Sequence, residues 1–184
     1  KITRLGSAGR AVDTLDVKIA SPDPEKTVGE IVLKGENVML GYYKNPEATK
    51  EMIDPEGWLH TGDLGVIDKD GFIYIKGRSK CLILGPSGQN IYPEELESAI
   101  DNKFCVCESL VVHRNDKLIA LIYPDKDVMD ANNITREGLE AILEQHRKDI
   151  NHIFPSYMNI SKFEIYDEEF IKTPKRSIKR YLYK

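Results

Sequence analysis

A change in residue pattern near residue 77 constrains the fold of this chain most. Before it, apolar and polar residues alternate in short runs such as Phe72–Ile75, and turn residues separate these runs, as is typical of strands. After it, a longer stretch places Leu139 and Leu143 on one face of a helix. The sequence therefore predicts a β-rich piece over residues 1–76, a break over residues 77–80 and an α+β unit over residues 81–184.

Capping residues locate the predicted helices within this plan. Asn45-Pro46 is typical of a helix start, because asparagine caps the free N–H groups and proline fits the first helical position. Pro93 predicts a second helix start, and Thr135 caps a longer helix. The end of the chain is predicted as a strand, Phe163–Tyr166, followed by an extended basic segment.

Composition excludes several classes of protein. The chain has 184 residues, 41% of them hydrophobic, and its net charge of −4 argues against general nucleic-acid binding. No apolar run approaches the ~20 residues that a transmembrane helix needs. The histidines and the three cysteines, Cys81, Cys105 and Cys107, have no metal-site spacing. We expect buried, reduced thiols and hence a cytoplasmic protein, with no metal held by side chains.

The last thirteen residues are strongly basic. They carry six cations and no acid, namely Lys172, Lys175, Arg176, Lys179, Arg180 and Lys184. This pattern is typical either of a solvated tail or of a patch that meets the phosphates of a nucleotide or of CoA.

Thr61-Gly62-Asp63 is the first candidate site. It places a carboxylate in a turn between predicted strands, beside a glycine that lets a ligand approach closely. A carboxylate accepts several hydrogen bonds and so suits a vicinal diol such as ribose. The alternative is an ordinary turn aspartate that caps its own backbone.

An ordered set of motifs resembles the adenylate-forming (AMP-binding) superfamily of acyl-CoA synthetases, luciferases and peptide-synthetase adenylation domains. The matching blocks are Gly29-Glu30-Ile31, Gly41-Tyr42-Tyr43, Asn45–Thr49, Thr61-Gly62-Asp63, Asp70-Gly71, Gly77-Arg78 and Ile91–Glu97. The resemblance covers nearly the whole chain. It implies an α+β fold: the small C-terminal domain of the family, preceded by a barrel-like part of the large N-terminal domain. The glycine loop Leu84–Asn90 resembles the long-chain fatty-acid–CoA ligases most.

The resemblance implies a role for several residues. Asp63 would hold the ribose hydroxyls of ATP or AMP, and Arg78 would contact the same nucleotide. Lys80 would be the hinge about which the C-terminal domain turns, the alternative being a solvated linker lysine. Gly88 would line the channel for the pantetheine of CoA, the alternative being a simple turn glycine. His60 is expected to pack rather than to catalyse.

The chain departs from the family at its end motif. Aligned without gaps, Ser177 stands where the family has a lysine that neutralises charge in the adenylation transition state, and serine carries no charge. Lys179 is our first candidate to replace it and Lys175 the second, since residues two apart in an extended segment share a face. Alternatively, the protein adenylates slowly, or it is a non-catalytic nucleotide- or CoA-binding or regulatory module.

The resemblance implies a ligase that activates a fatty acid with ATP and Mg²⁺ and then transfers the acyl group to CoA. Among such ligases, the chain resembles the long-chain fatty-acid enzymes most. The sequence starts at Lys1, without an initiator Met and in the middle of a strand-and-turn pattern, so we expect a fragment of a longer protein. We expect this fragment to be inactive without its N-terminal domain and to bind ATP, Mg²⁺ and CoA only weakly by itself. Peripheral membrane contact is compatible with this reading. A protein-interaction domain that uses the basic tail is a further alternative.

Overall fold

The computed structural model describes residues 3–85 and 87–183. Pro86 of the predicted glycine loop and Lys184 of the basic tail lie outside the described residues. The chain forms two compact units that divide between Cys81 and Leu82. Among the described residues, no helix is both long and apolar enough to cross a membrane.

The first unit is a four-stranded antiparallel sheet with strand order β1-β2-β3-β4. One short helix, α1, lies between β2 and β3 in the chain. The elements are β1 (Leu15–Ala20), β2 (Gly29–Gly35), α1 (Pro46–Met52), β3 (Leu59–Ile67) and β4 (Ile73–Arg78), followed by a 3₁₀ turn (Ser79–Cys81).

Local side-chain bonds explain why these elements begin and turn where they do. The Asn45 side chain accepts a hydrogen bond of 3.1 Å from the Ala48 N–H, which confirms the predicted cap of α1. Between β3 and β4, one Asp68 oxygen accepts the N–H groups of Asp70 and Phe72, each at 2.9 Å. The turn that joins the strands is thus fixed by an aspartate that bonds to the backbone just after it.

The ladder between β2 and β3 is interrupted at one point. Glu30 pairs with Leu64 and Val32 pairs with His60, so the three residues Thr61–Asp63 lie opposite the single residue Ile31. Such a bulge breaks the ladder locally and redirects side chains. We call Thr61–Asp63 the nucleotide turn, after the role that the family resemblance implies for Asp63.

The second unit packs helices and a terminal segment on the two faces of a three-stranded sheet. The strand order is β7-β8-β9, with β7 and β8 antiparallel and β8 and β9 parallel. The elements are β5 (Ile83–Leu84), β6 (Asn90–Ile91), α2 (Pro93–Asp101), β7 (Val106–Arg114), β8 (Lys117–Pro124), α3 (Lys126–Ala131), α4 (Arg136–Ile153) and β9 (Ile160–Ile165), with 3₁₀ turns at Ser156–Met158 and Arg180–Leu182.

Alternation along β8 gives this sheet two buried faces. Ala120 and Ile122 contribute to the core formed with α2 and α4, whereas Leu121 belongs to a second cluster with Phe170 and Tyr183 of the terminal segment. The apolar faces predicted for the helices do form this core. The structure therefore confirms the α+β fold class.

One helix was missed, and two local predictions were wrong. Helix α3 was not predicted, although Asp125 caps it by accepting the Val128 N–H at 3.1 Å. Of the three cysteines expected to be buried, Cys105 is buried and Cys81 is intermediate, whereas Cys107 is exposed because it lies in the part of β7 where side chains alternate between the two faces. The basic segment is not extended throughout, since residues 171–179 fold back on themselves; we call these residues the C-terminal hairpin.

Candidate functional site

Asp63 and Arg78 are brought together by the sheet of the first unit. They are directly opposed partners on β3 and β4, and they form an ion pair in which Arg78 Nε lies 2.7 Å from Asp63 Oδ1. The Arg78 side chain is 62% exposed and that of Asp63 is 30% exposed. An ion pair this exposed contributes only ~0–1 kcal/mol to stability. Both side chains can therefore turn toward a ligand at little cost to the fold.

The nucleotide turn is held by side chains rather than by the ladder. Gly62 has a φ of 72°, a conformation that favours glycine. The Thr61 hydroxyl donates to the Ile31 carbonyl at 2.7 Å and accepts the Asp63 N–H at 3.0 Å. The Thr61 hydroxyl, rather than the Asp63 carboxylate, thus caps the Asp63 backbone, and the carboxylate faces Arg78 instead.

Glu30 of β2 is a residue of this site that sequence reasoning missed. One of its oxygens accepts the Gly62 N–H at 2.9 Å, and the other lies 2.7 Å from Nδ1 of His60. Glu30 lies in the matching block Gly29-Glu30-Ile31, but that block implied no role for the glutamate. His60, which was expected to be a partly buried packing residue, is intermediate in burial with 39% of its side chain exposed, and it lies between two carboxylates, with Asp54 Oδ2 3.8 Å from its Nε2.

Lys80 lies in the 3₁₀ turn that follows β4, and it is exposed. The two units divide one residue further along the chain. This position is where a hinge would act, and the hinge role stays a prediction.

Gly88 lies in the loop between β5 and β6. Its N–H donates to the Gly85 carbonyl at 2.9 Å, and the Gly85 N–H donates to the Gln89 carbonyl at 2.8 Å. The φ of Gly88 is 79°, and a Cβ atom added there would meet nothing within 4 Å. The turn conformation alone therefore accounts for a glycine here, and the CoA-channel role stays a prediction.

The C-terminal hairpin presents Ser177 and Lys179 differently from Lys175. The Thr173 N–H donates to the Ser177 carbonyl at 2.8 Å and the Lys179 N–H to the Ile171 carbonyl at 2.9 Å. Ile178 packs against the buried cluster, so Ser177 and Lys179 on either side of it point the other way. Lys175 lies in the turn itself. Lys175 therefore does not share an extended face with Lys179, contrary to our expectation.

Two of the tail cations are tied into the fold. Lys172 lies 2.7 Å from Glu108 and 2.8 Å from Glu169. Arg180 forms a close ion pair with Glu97 of α2, whose other oxygen accepts the Val111 N–H at 2.6 Å. Among residues 3–85 and 87–183, no salt bridge involves the other three described cations of the tail, which are Lys175, Arg176 and Lys179.

Burial shapes the chemistry of Glu97. Desolvation raises the pKa of its carboxyl to about 7, even though Arg180 and the Val111 N–H act in the opposite direction. The 3₁₀ turn that follows the C-terminal hairpin is thus attached to α2 through an acid whose pKa lies near neutrality. In the described part of the chain, His, Cys, Asp and Glu form no cluster of three or more that could hold a metal ion.

Comparison with known proteins identifies the family. The chain is 37% identical over 147 residues to a 2-succinylbenzoate–CoA ligase of Bacillus cytotoxicus, covering 78% of this chain and 30% of that protein. It is 37% identical over 143 residues to a long-chain-fatty-acid–CoA ligase of Mus musculus, covering 77% and 19%. A sulfoacetate–CoA ligase of Cupriavidus necator is 49% identical over 100 residues, covering 53% and 19%. No family model matches the chain.

The fold agrees with these relatives. The O-succinylbenzoate coenzyme A synthetase of Bacillus subtilis, solved in complex with AMP, superposes with a TM-score of 0.78 at 28% identity over 98% of this chain and 36% of that one. The chain belongs to the adenylate-forming superfamily of acyl-CoA synthetases, as its motifs indicated, and corresponds to the C-terminal part of such enzymes. It spans about a fifth to a third of the length of the curated relatives that it matches.

Proposed function

We propose that this chain is part of an AMP-forming acid–thiol ligase. In the first half-reaction a carboxylate oxygen attacks the α-phosphorus of ATP, an O–P bond forms, and pyrophosphate leaves. In the second, the CoA thiol loses its proton and attacks the acyl carbon, and AMP leaves as the C–O bond breaks. The observation that carries this proposal is the Asp63–Arg78 pair, which places a carboxylate and a guanidinium together within the family motif.

The nucleotide role follows from the chemistry of that pair. The Asp63 carboxylate would accept hydrogen bonds from the ribose hydroxyls, and Arg78 would add charge-assisted contacts to the same nucleotide. Related structures contain AMP or contain ATP with a magnesium ion. Here Mg²⁺ would arrive with ATP as part of the substrate, and CoA would be the second substrate.

The second unit would change its orientation between the two half-reactions. It would turn about Lys80, presenting the C-terminal hairpin for adenylation and the Gly88 loop for thioester formation. Lys179 is the better replacement for the family lysine, because it shares the outward face of the C-terminal hairpin with Ser177. Strand spacing puts their backbones ~7 Å apart, within the reach of a lysine side chain.

The acid is proposed as a fatty acid, with the long-chain class first. The glycine loop favours this class, while the relatives are named for 2-succinylbenzoate, long-chain fatty acids and sulfoacetate. The complete protein would act in the cytoplasm, with peripheral membrane contact, and this chain alone would be inactive because the N-terminal domain of the family holds the rest of the site.

A second candidate function rests on Ser177. If no cation serves adenylation, the protein would be a binding or regulatory module that retains nucleotide or CoA contacts without the chemistry. The exposed Ser177, without charge at the position of the family lysine, is the observation in its favour.

Trapping of the acyl-adenylate in the complete protein separates these functions. We would add hydroxylamine, ATP and acids of different chain length, without CoA, and measure the hydroxamate. We expect product with a fatty acid, a loss of ~100-fold or more in Lys179→Ala, and near-normal product in the matched variant Lys175→Ala. No product with any acid, from a protein that still binds ATP, would favour the binding module.

A further inference from the structure

The carboxylate of Glu30 uses both of its oxygens at the nucleotide turn. Oε1 accepts the Gly62 N–H at 2.9 Å, and Oε2 lies 2.7 Å from His60 Nδ1. The Glu30 side chain is only 27% exposed, so these bonds are partly shielded from water. Glu30 is thus fixed at both oxygens, one of them on the residue next to Asp63.

The turn needs such a partner because the strand ladder is absent there. Three residues of β3 oppose the single residue Ile31, so the Gly62 N–H has no ladder carbonyl across from it. A shielded N–H without a partner is costly, and the Glu30 carboxylate removes that cost. Since Gly62 has a φ of 72° and great backbone freedom, this bond also limits the conformations of the turn.

We propose that Glu30 is a positioning residue for nucleotide binding, which holds the nucleotide turn so that the Asp63 carboxylate faces the ribose. The proposal rests on the proposed function of Asp63. His60 assists by fixing the carboxylate of Glu30 from the other side. The exposed Arg78, 2.7 Å from Asp63, leaves the Asp63 carboxylate able to turn, so the position of the aspartate depends on its backbone, which Glu30 of β2 holds through Gly62.

Equilibrium binding of AMP to the complete protein tests this role. We expect Glu30→Ala to weaken AMP binding about tenfold, the usual size of one lost hydrogen bond to a charged group. Glu30→Gln should recover most of the affinity, because its amide oxygen can still accept the Gly62 N–H. Glu36→Ala is the matched control, since Glu36 is exposed just after β2 and its side chain makes no hydrogen bond or ion pair within the described part of the chain.

Steady-state kinetics add a readout that a purely structural role would not move. The Glu30→Ala variant should raise the KM for ATP by the same factor while kcat and the KM for the acid stay unchanged, as for an interaction made equally in ground and transition states. A joint rise of both KM values with a lower melting temperature, and no recovery in Glu30→Gln, would overturn the proposal.

The Asp63→Ala variant separates this inference from the proposed function. Weak AMP binding in Asp63→Ala, with unchanged binding in Glu30→Ala, would overturn the role of Glu30 alone. Unchanged AMP binding in both variants would remove the nucleotide assignment of Asp63 and the role of Glu30 with it.

Discussion

At the scale of single residues, the Asp63–Arg78 pair combines a weak structural contribution with strong ligand chemistry. The two side chains meet at 2.7 Å, yet Arg78 is mostly exposed and Asp63 is partly exposed. A carboxylate in that setting loses little when it exchanges one partner for another, whereas a ribose gains charge-assisted hydrogen bonds. Mutation of Asp63 should therefore affect binding and stability to very different degrees.

The first prediction concerns that difference. Asp63→Ala in the complete protein should weaken AMP binding about 10–100-fold, as expected for the loss of hydrogen bonds to a charged acceptor. The free energy of unfolding should fall by less than about 1 kcal/mol, because the ion pair is exposed. Titration calorimetry and urea unfolding measure the two effects, with the exposed Asp16→Ala of β1 as the control. A large loss of stability with unchanged affinity would contradict the assignment.

The second prediction concerns Arg176, whose φ is 62°. An arginine in this left-handed conformation is strained by roughly 1–3 kcal/mol relative to a glycine. After the greater unfolded-state entropy of glycine is subtracted, Arg176→Gly should stabilise the chain by about 1 kcal/mol. Urea unfolding followed by circular dichroism would measure it.

A matched variant at the neighbouring turn position is the control for Arg176→Gly. Lys175 is exposed and does not have a positive φ, so Lys175→Gly should destabilise the chain by about 0.5–1 kcal/mol. If both variants destabilise the chain equally, the turn conformation assigned to Arg176 is wrong.

At the scale of elements, two loops of the second unit share one hydrogen-bond pattern. In the first loop, the Gly85 N–H donates to the Gln89 carbonyl, and the Gly88 N–H donates to the Gly85 carbonyl. In the second loop, the Thr173 N–H donates to the Ser177 carbonyl, and the Arg176 N–H donates to the Thr173 carbonyl. The first residues are Gly85 and Thr173, and the left-handed residues are Gly88 and Arg176. This is the pattern of a three-residue hairpin loop, in which the left-handed residue closes the turn.

The third prediction concerns the link between Arg180, just after the C-terminal hairpin, and Glu97 of α2. Burial raises the pKa of Glu97 to about 7, above its usual value, so the folded state binds this proton more tightly than the unfolded state. The stability that this group contributes is present at low pH and is lost as pH rises through about 7. Replacing it by Gln should flatten the dependence of the unfolding free energy on pH between 5 and 8.

Urea unfolding at a series of pH values measures this effect. The exposed Glu137→Gln in the first turn of α4 is the control, and it should keep the slope of the original protein. An unchanged slope in Glu97→Gln would mean that Glu97 stays ionised throughout this range, held by Arg180.

At the scale of the whole molecule, the division between Cys81 and Leu82 lies beside the proposed hinge. Our fourth prediction is that Lys80→Pro in the complete protein slows thioester formation about tenfold or more, while hydroxamate formation without CoA is largely retained. Proline restricts its own φ and the conformation of Ser79, so the chain loses the freedom that a hinge needs. Lys80→Ala, which removes the charge but not the freedom, is the matched control. Equal loss of both half-reactions would argue against the hinge.

The sequence predicted what is local or what belongs to a family motif. The caps at Asn45 and Thr135 act within four residues, and the structure shows both bonds. Asp63 and Arg78 were predicted as site residues because each lies in a family motif, and the register of β3 and β4 brings them together. Glu30 and Gly62 are 32 positions apart, and their hydrogen bond depends on a bulge between β2 and β3. No residue pattern in either strand predicts that bulge, so the bond could not be predicted from the sequence. The C-terminal hairpin was missed because its turn uses an arginine where glycine usually signals the conformation.

The shared pattern of the two loops has a consequence for engineering. Gly88 and Arg176 hold the same place in these backbone bonds, and both are exposed with a positive φ. A residue that tolerates the left-handed conformation, such as asparagine, would therefore keep the closing bonds at either position. At Gly88 an added Cβ atom would meet nothing within 4 Å, so a new side chain could be displayed there on an unchanged backbone.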